Sequence, residues 1–211
     1  MTFWLTRLPL SLRDRIPESL RRVGRLGRHV VERGQPSAAI PPELLADCRL
    51  CASRHELVKN LPRQACVAEV GTYRGGFARH ILEACDPSEL HLIDIDVSLL
   101  DPAVANDSRV SVHQGLSQET LALLPDNHFD WIYIDGDHSY QAVAADAHVA
   151  AGKVKPGGYL VFNDFAHADP YLGTYGVHRA VAEFAVNRGW KFVWWAYEPN
   201  GLYDVALQRP A

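Results

Sequence analysis

From residue 66 onward, apolar runs typical of buried strands alternate with amphipathic runs typical of helices, and this alternation restricts the fold more than any other feature. Strands separated by helices pair in parallel, because the crossover connection carries each helix onto a face of the sheet. The pattern predicts an α/β fold with a doubly wound, mostly parallel sheet of seven strands. The predicted strands are 66–70, 91–94, 109–113, 130–135, 158–164, 191–196 and 202–208, and the predicted helices are 75–84, 118–124, 140–154 and 177–187.

The last two predicted strands are separated only by residues 197–201. A parallel crossover needs about a dozen residues or more, whereas an antiparallel pair needs only a short turn. We therefore expect these two strands to form an antiparallel pair at the end of the sheet, which makes the terminal strand antiparallel.

Residues 1–34 are strongly basic, with eight arginines against three acidic residues. Apolar residues recur every three or four positions between Ser11 and Val31, which predicts a basic amphipathic helix interrupted near Pro17. One interpretation is contact with an anionic membrane surface or an acidic partner, and the other is packing on the protein's own domain or on a second subunit. We favour the second, so a homo-oligomer formed through the N-terminal helices is an expectation.

The remainder of the chain carries 13 basic and 22 acidic residues, which argues against a nucleic-acid partner. No apolar run reaches the length of about 20 residues that a transmembrane helix needs, and Arg7 interrupts the apolar start, so we expect a cytoplasmic location. A linker at 34–43 and a short helix from Pro42 to Asn60 precede the main fold. We predict an N-terminal helical extension and linker at 1–60 and a catalytic domain at 61–211.

The chain has four cysteines, Cys48, Cys51, Cys66 and Cys85, too few for a disulfide framework at this length. Cys48 and Cys51 form a C-x-x-C pair, which is half of a common zinc site. No second pair and no suitably spaced histidines follow, so the favoured interpretation is two reduced thiols on a helix.

A glycine-rich turn joins the first predicted strand to the first predicted helix, where doubly wound folds bind nucleotide-like ligands. Its pattern is E-x-G-x-x-x-G-G, and Glu69 stands where the pyrophosphate-binding pattern G-x-G-x-x-G has its first glycine. A carboxylate there repels pyrophosphate and suits a cation, so S-adenosylmethionine, which carries a sulfonium and an ammonium, fits better than NAD. The alternative is a glycine turn without a ligand. The predicted cofactor residues of this turn are Glu69, Gly71, Thr72, Tyr73 and Gly75.

The second predicted strand ends at Asp94, with Asp96 two residues later. An acid at this position accepts hydrogen bonds from ribose hydroxyls in doubly wound folds. Asp94 is the first choice for that role and Asp96 the second.

The sequence resembles the class I S-adenosylmethionine-dependent methyltransferases, which have a Rossmann-like fold, in three places: the glycine turn, the acid after the second strand, and the block D-W-I-Y-I-D-G-D-H-S-Y at 130–140. It is most similar to the macrocin and catechol types of small-molecule O-methyltransferase, a methyltransferase family 24-like group, over 61–208. The resemblance implies that S-adenosylmethionine is the cofactor and that Glu69 lies near its methionine end. It also implies that Ser117 and Gln118 contact the adenine.

Asp135 ends the fourth predicted strand and Asp164 the fifth, and neighbouring parallel strands bring their carboxyl ends together. Carboxylate oxygens suit Mg²⁺ or another divalent cation, with the Asn163 amide oxygen as a third ligand. The resemblance supports Asp135 and Asp164 as metal ligands, although some relatives carry an acid where this chain has Asn163.

The resemblance further implies that His138, in the D-G-x-H motif, is the general base, so His138 and Asp135 are assigned to catalysis. The alternative for His138 is a loop histidine that caps the next helix. The loop at 165–178 is expected to form the substrate wall, with Tyr171, Tyr175 and His178 as candidate substrate contacts.

These assignments predict an enzyme, an O-methyltransferase acting on a hydroxyl of a small molecule such as a sugar, polyketide or phenol, assisted by a divalent metal. One alternative is a binding module that holds S-adenosylmethionine without turnover. Another is an NAD-dependent oxidoreductase, which the acid at Glu69 disfavours.

Overall fold

A computed structural model describes residues 37–169 and 173–211. The α-helices in this part of the chain are α1 (Pro42–Leu45), α2 (Arg54–Lys59), α3 (Gly76–Cys85), α4 (Pro102–Ala105), α5 (Ser117–Leu123), α6 (Tyr140–Lys153) and α7 (Val177–Arg188), with a 3₁₀ turn at Val97–Leu99. The strands are β1 (Arg49–Cys51), β2 (Cys66–Val70), β3 (Glu89–Asp94), β4 (Val110–Gln114), β5 (Phe129–Ile134), β6 (Val154–Phe162), β7 (Ala168–Asp169), β8 (Gly173–Thr174), β9 (Lys191–Ala196) and β10 (Asp204–Gln208).

Eight strands form one sheet in the order β1-β9-β10-β6-β5-β2-β3-β4, and β7 and β8 form a separate antiparallel pair. Within the large sheet every pairing is parallel except those of β10, which is antiparallel to both β6 and β9. The predicted doubly wound, mostly parallel fold is therefore confirmed, and so is the antiparallel pairing of the last strand. The predicted position of that pair at the end of the sheet is wrong, because β10 is inserted between β6 and β9 and β1 forms the edge beyond β9. The predicted number of seven strands is one too few, because β1 adds an eighth.

The predicted single helix from Pro42 to Asn60 is wrong. Helix α1 ends after four residues, and β1 pairs in parallel with β9, with Arg49 opposite Trp194. Helix α2 begins after Ser53, whose Oγ accepts a hydrogen bond from the Glu56 N–H at 3.2 Å. The backbone hydrogen bonds that β1 gains on the open edge of β9 override the local helical preference.

The interpretation of Cys48 and Cys51 as two thiols on a helix is wrong for the same reason. Cys51 lies in β1, and its Sγ is 3.7 Å from the carbonyl oxygen of Trp195 on β9. Cys48 lies between α1 and β1 and packs against the core. Both cysteines are free thiols.

Helices cover both faces of the large sheet. On one face α6 and α7 pack against Phe129, Phe162 and Phe192, and on the other α2 and α3 pack against Trp131 and Tyr133. Each such side chain contributes about 1.5–3 kcal/mol to folding when fully buried. This three-layer packing fixes the positions of the strand ends that carry the candidate site.

The order of the strands reverses at β2. The chain moves outward from β2 to β3 and β4, and then returns to β5 on the other side of β2. Doubly wound sheets bind ligands in the crevice that such a reversal opens at the carboxyl ends of the strands. The residues that follow β2, β3, β5 and β6 therefore meet at one edge.

Two predictions fall outside the described residues, namely the amphipathic helix between Ser11 and Val31 and the substrate residue Tyr171. Among the helices that the structure does describe, none has the length and apolar character to cross a membrane.

Candidate active site

The turn after β2 lies directly against the backbone at the end of β5. Gly71 has a φ of +88°, and its N–H donates to the Ile93 carbonyl oxygen at 2.8 Å. A Cβ on Gly71 would lie 2.0 Å from the Asp135 carbonyl oxygen, so only glycine fits this position. Gly75, at φ +77°, closes the turn by donating its N–H to the Thr72 carbonyl oxygen at 2.9 Å. The predicted cofactor turn and the predicted catalytic Asp135 are thus in contact.

Two buried polar atoms at the end of β2 and in this turn receive no well-aligned hydrogen bond from the described residues, although the Thr72 side chain lies close enough to Glu69 to oppose the rise of its pKa. They are Glu69 Oε2 and Thr72 Oγ1, on side chains that are nearly inaccessible to solvent. Burial raises the pKa of Glu69 to about 8. An unpaired buried polar group costs about 1–3 kcal/mol, so both atoms gain free energy when a ligand supplies polar groups to them.

Asp94, at the end of β3, organises the same turn. Its Oδ2 accepts a hydrogen bond from the Tyr73 N–H at 2.7 Å, and its Oδ1 accepts from the Asp96 N–H at 3.0 Å. Tyr73 has a φ of +51°, so this contact holds a backbone conformation that is uncommon outside glycine. Each carboxylate oxygen keeps a further acceptor site, which leaves Asp94 able to bind ribose hydroxyls. Asp96, the second choice, accepts from the Ser98 N–H at 3.0 Å and so caps the 3₁₀ turn.

Ser117 begins α5, and its hydroxyl lies 2.5 Å from Asp146 Oδ1 and 3.1 Å from Gln118 Oε1. A hydroxyl has one proton, so Ser117 donates to one of these acceptors at a time. Asp146 is buried, and burial raises its pKa to about 6. Sequence reasoning missed Asp146, because it lies inside α6 among alanines and belongs to no motif. The adenine contact of Ser117 and Gln118 stays a prediction.

The predicted base and the three predicted metal ligands lie together at the ends of β5 and β6. His138 Nε2 is 3.3 Å from Asn163 Oδ1, 3.5 Å from Asp164 Oδ2 and 3.6 Å from Asp135 Oδ1. Strands β5 and β6 are adjacent and parallel, which brings their following residues to the same edge. The arrangement places one imidazole among three oxygen donors, beside the glycine turn.

The cluster is strongly acidic. Burial raises the pKa of Asp135 well above its ordinary value, and the carboxyls of Asp164, Asp204 and Glu69 raise it further, while Arg54 opposes the shift. Arg54 Nη1 lies 3.8 Å from Asp135 Oδ2. Nothing in the sequence pointed to Arg54, because it precedes the segment that carries the methyltransferase resemblance.

Asp204, at the start of β10, is another residue that sequence reasoning missed. It is fully buried and accepts hydrogen bonds from the Tyr133 hydroxyl at 2.5 Å and from Asn163 Nδ2 at 3.1 Å. Burial raises the pKa of Asp204 to about 7. Because the Asn163 amide nitrogen faces Asp204, its oxygen is directed to His138.

The three predicted substrate residues have different outcomes. The Tyr175 ring stacks on the His138 ring, with centroids 4.6 Å apart and planes at 15°. His178 instead contacts the Ser37 hydroxyl, and its ring packs on Phe165 and His167, with centroids 4.5 and 4.0 Å away. Burial lowers the pKa of His178 to about 4. Tyr175 therefore contacts the acidic cluster, whereas the described contacts of His178 are with Ser37, Phe165 and His167.

Residues 68–165 match the sequence model of a family described as a methyltransferase domain. This segment runs from β2 to just beyond β6 and contains Glu69, Asp94, Asp135, His138 and Asp164. These comparisons support a methyltransferase enzyme. Comparison with curated protein sequences finds no match.

Solved structures share the methyltransferase fold at low sequence identity. An S-adenosylmethionine-dependent methyltransferase from Mesorhizobium loti has a TM-score of 0.56 and 14% identity, covering 74% of this chain and 95% of that one. The N-methyltransferase NodS from Bradyrhizobium japonicum, solved with S-adenosyl-L-homocysteine, has a TM-score of 0.57 and 15% identity, covering 75% and 86%. An O-methyltransferase family protein from Burkholderia thailandensis has a TM-score of 0.54 and 15% identity, covering 74% of this chain and 55% of that one.

Identities this low show the fold alone. The matching structures include both an N-methyltransferase and an O-methyltransferase family protein, and also a candidate hemolysin from Lactococcus lactis with a TM-score of 0.58, 16% identity and coverage of 73% and 82%. The methyl acceptor of a methyltransferase with this fold must therefore be argued from the residues of its site.

Proposed function

We propose that this protein is an S-adenosylmethionine-dependent O-methyltransferase that transfers a methyl group to a hydroxyl of a small molecule such as a sugar, polyketide or phenol. The observation that carries the proposal is the position of His138 among Asp135, Asp164 and Asn163, beside the glycine turn. A methyl donor at the turn and an acceptor hydroxyl at His138 would share one crevice. That proximity is what a displacement at a methyl carbon requires.

Two features of the turn support S-adenosylmethionine as the cofactor. The buried Glu69 Oε2 and Thr72 Oγ1, which lack a well-aligned hydrogen bond, suit the polar groups of its methionine part, and Asp94 suits its ribose hydroxyls. A positive charge beside Glu69 stabilises the ionised carboxylate, which burial otherwise disfavours. A pyrophosphate gives no such stabilisation, which argues against NAD as the ligand.

Asp135, Asp164 and Asn163 would hold Mg²⁺ or another divalent cation. Oxygen donors suit such a cation, and the neighbouring carboxyls of Asp135 and Asp164 repel one another when both are ionised. A cation bound there would offset this repulsion and lower the pKa of an acceptor hydroxyl.

His138 is assigned as the base that removes the acceptor proton. The Tyr175 ring stacks on its imidazole and holds it in place. The acceptor oxygen, once deprotonated, attacks the methyl carbon as the bond from that carbon to the sulfonium breaks. Ser117 and Gln118 are proposed to contact the adenine, as the family resemblance implies.

Calorimetric titration with S-adenosylhomocysteine, with and without Mg²⁺, tests the cofactor site. We expect a dissociation constant in the micromolar range, as is common for enzyme ligands (about 1 μM–1 mM). Asp135→Asn should leave this affinity within about threefold of the wild type and remove any response to Mg²⁺, because Asp135 is assigned to the metal. Asp137→Asn is the matched control, since Asn can still accept the hydrogen bond that the Ser139 N–H gives Asp137 at 2.9 Å. Absence of binding in every condition would overturn the methyltransferase proposal.

Methyl transfer from labelled S-adenosylmethionine to panels of sugars, phenols, polyketides and amines tests the chemistry. We expect turnover with hydroxylated acceptors and a loss of about 10²-fold or more in kcat for His138→Gln, with the affinity for S-adenosylhomocysteine unchanged. Wild-type turnover by His138→Gln would contradict its role as base. Turnover with amines alone would contradict O-methylation, and binding without any turnover would favour the cofactor-binding module.

A further inference from the structure

A second cluster of metal-ligating side chains lies at the opposite edge of the sheet from the candidate active site. Cys66 is the first residue of β2, Glu89 and His91 are the first and third residues of β3, and His128 directly precedes β5. Because β2 pairs in parallel with both β3 and β5, these residues meet at the amino ends of the three strands. Cys66 is paired in register with Glu89, and His91 lies two residues further along the same face.

Four distances between ligand atoms of this cluster are close to those around a tetrahedral metal ion. Cys66 Sγ is 3.1 Å from His128 Nε2 and 3.7 Å from Glu89 Oε2. Glu89 Oε2 is 3.4 Å from Nε2 of His91 and 3.4 Å from Nε2 of His128. In a tetrahedral Zn²⁺ site, with Zn–S near 2.3 Å and Zn–N or Zn–O near 2.0–2.1 Å, the ligand atoms are about 3.3–3.6 Å apart.

In the part of the chain that the structure describes, no other group of three or more His, Cys, Asp or Glu side chains brings its ligand atoms this close, all within 4.8 Å of one another. In the acidic cluster at His138, the carboxylate and imidazole atoms do not all lie within 4.8 Å of one another. The donor chemistry also differs, because a thiol and two imidazoles suit Zn²⁺ whereas an all-oxygen set suits Mg²⁺.

Neighbouring groups contact two of the four residues, His91 and Cys66. His113 Nε2, on β4, lies 3.0 Å from His91 Nδ1. When His91 Nδ1 carries the proton and donates it to His113 Nε2, His91 Nε2 has a free lone pair with which to bind a metal. Asp130 accepts the Cys66 N–H at 2.8 Å with one oxygen and Lys155 Nζ at 2.8 Å with the other. The His91 ring thus has a hydrogen-bonding partner of the kind that orients metal-binding histidines, and the backbone of Cys66 is fixed beside it.

The cluster is buried on the sheet side and open on the other. Cys66 is buried, whereas the Glu89 side chain is 55% exposed and gives an ion a route of entry. A divalent cation bound here would take the Cys66 sulfur as the thiolate and release its proton.

We propose that Cys66, Glu89, His91 and His128 form a structural Zn²⁺ site that ties β2, β3 and β5 together at the amino edge of the sheet. Four protein ligands complete a tetrahedral site and leave no position for a substrate, which is the property of a structural rather than a catalytic zinc. The ligands are far apart in the sequence, so the ion binds the folded chain in preference to the unfolded one and stabilises it. This site is independent of the methyltransferase assignment.

Titration of the chelator-treated, full-length protein with Co²⁺ and then Zn²⁺ tests the proposal. We expect one Co²⁺ per chain, with a thiolate-to-Co²⁺ charge-transfer band and the intense visible bands of a four-coordinate ion. Zn²⁺ should displace the Co²⁺ and raise the Tm by several degrees. Cys66→Ser should abolish the charge-transfer band and weaken Zn²⁺ binding by about 100-fold or more, and His128→Gln should weaken it by at least about tenfold.

Cys48→Ser and His148→Gln are the matched controls, and both should bind like the wild type. Glu89→Gln provides a variant at an exposed position, in case Cys66→Ser does not fold; it should weaken binding while keeping the thiolate band. Absence of a thiolate band in the wild type, or equal binding by Cys66→Ser or Glu89→Gln and the wild type, would overturn the proposal.

Discussion

The charge of Glu69 depends on what lies against it. The side chain is on β2 among apolar residues, and burial raises its pKa from an ordinary value of 4.5 to about 8. At neutral pH the carboxyl is therefore mostly protonated in the protein without its cofactor. A cationic ligand shifts it to the ionised form, which couples cofactor binding to pH.

Replacing Glu69 by Gln should change the pH dependence of stability. Between pH 4.5 and about 8 the folded chain binds a proton at Glu69 that the unfolded chain has lost, so this group makes the free energy of unfolding fall as pH rises. Glu69→Gln should remove that fall and raise the free energy of unfolding at pH 8 by about 1–3 kcal/mol, and it should weaken S-adenosylhomocysteine binding. Urea unfolding at several pH values measures the first effect. Glu83→Gln, at an exposed position on α3, is the control, and an unchanged pH profile for Glu69→Gln would contradict the assignment.

At the scale of elements, the turn between β2 and α3 owes its shape to contact with the end of β5. Gly71 combines a left-handed φ with an approach to the Asp135 backbone that leaves no space for a side chain. The glycine therefore couples the cofactor turn to the strand that carries the catalytic candidates. A substitution at Gly71 should therefore disturb both the cofactor turn and the end of β5.

Gly71→Ala should lower the free energy of unfolding by at least about 2 kcal/mol and abolish S-adenosylhomocysteine binding, because the added Cβ meets backbone atoms that cannot move aside. Gly152→Ala is the matched control, since Gly152 lies in α6 with no atom within 4 Å of its added Cβ. That control should be neutral or stabilising by as much as about 1 kcal/mol. Chemical denaturation and calorimetry of both variants provide the measurement, and a stable Gly71→Ala that still binds would contradict this account of the turn.

At the scale of the whole molecule, residues 37–60 pack with the same sheet as the rest of the described chain. Strand β1 covers the edge of β9, and α2 buries Leu57 and Val58 completely against the core. The same helix supplies Arg54, the cation nearest Asp135 in the described contacts. The predicted boundary between the extension and the catalytic domain remains a prediction that truncation can test.

Removing residues 1–34 should leave S-adenosylhomocysteine binding intact, because the described strands and the proposed cofactor residues all come later in the sequence. Removing residues 1–60 should lower the free energy of unfolding by about 4 kcal/mol or more, because Leu57 and Val58 leave buried positions. Thermal denaturation and calorimetry of the two truncated chains provide the comparison. Wild-type stability after the longer deletion would support a domain boundary at Leu61.

Local sequence was enough to predict the main strands and the residues at their carboxyl ends. The runs at 66–70 and 191–196 have the predicted bounds in the structure, since each is apolar and flanked by residues that favour turns. Asp135 and Asp164 were predicted to meet because parallel strands present their carboxyl ends at one edge. The predicted helix at 42–60 was wrong, because pairing with a strand more than 140 residues away decided its conformation.

By itself, the sequence determined the alternation of strands and helices, the glycine turn and the acids and histidine that follow the strands, because each depends on neighbours within a few residues. The tertiary structure alone decided the contacts of Arg54, Asp146 and Asp204 with the site. It also decided the cluster of Cys66, Glu89, His91 and His128, whose members span more than 60 residues and share no motif. Strand order and register bring such residues together, and these follow from the packing of the whole sheet.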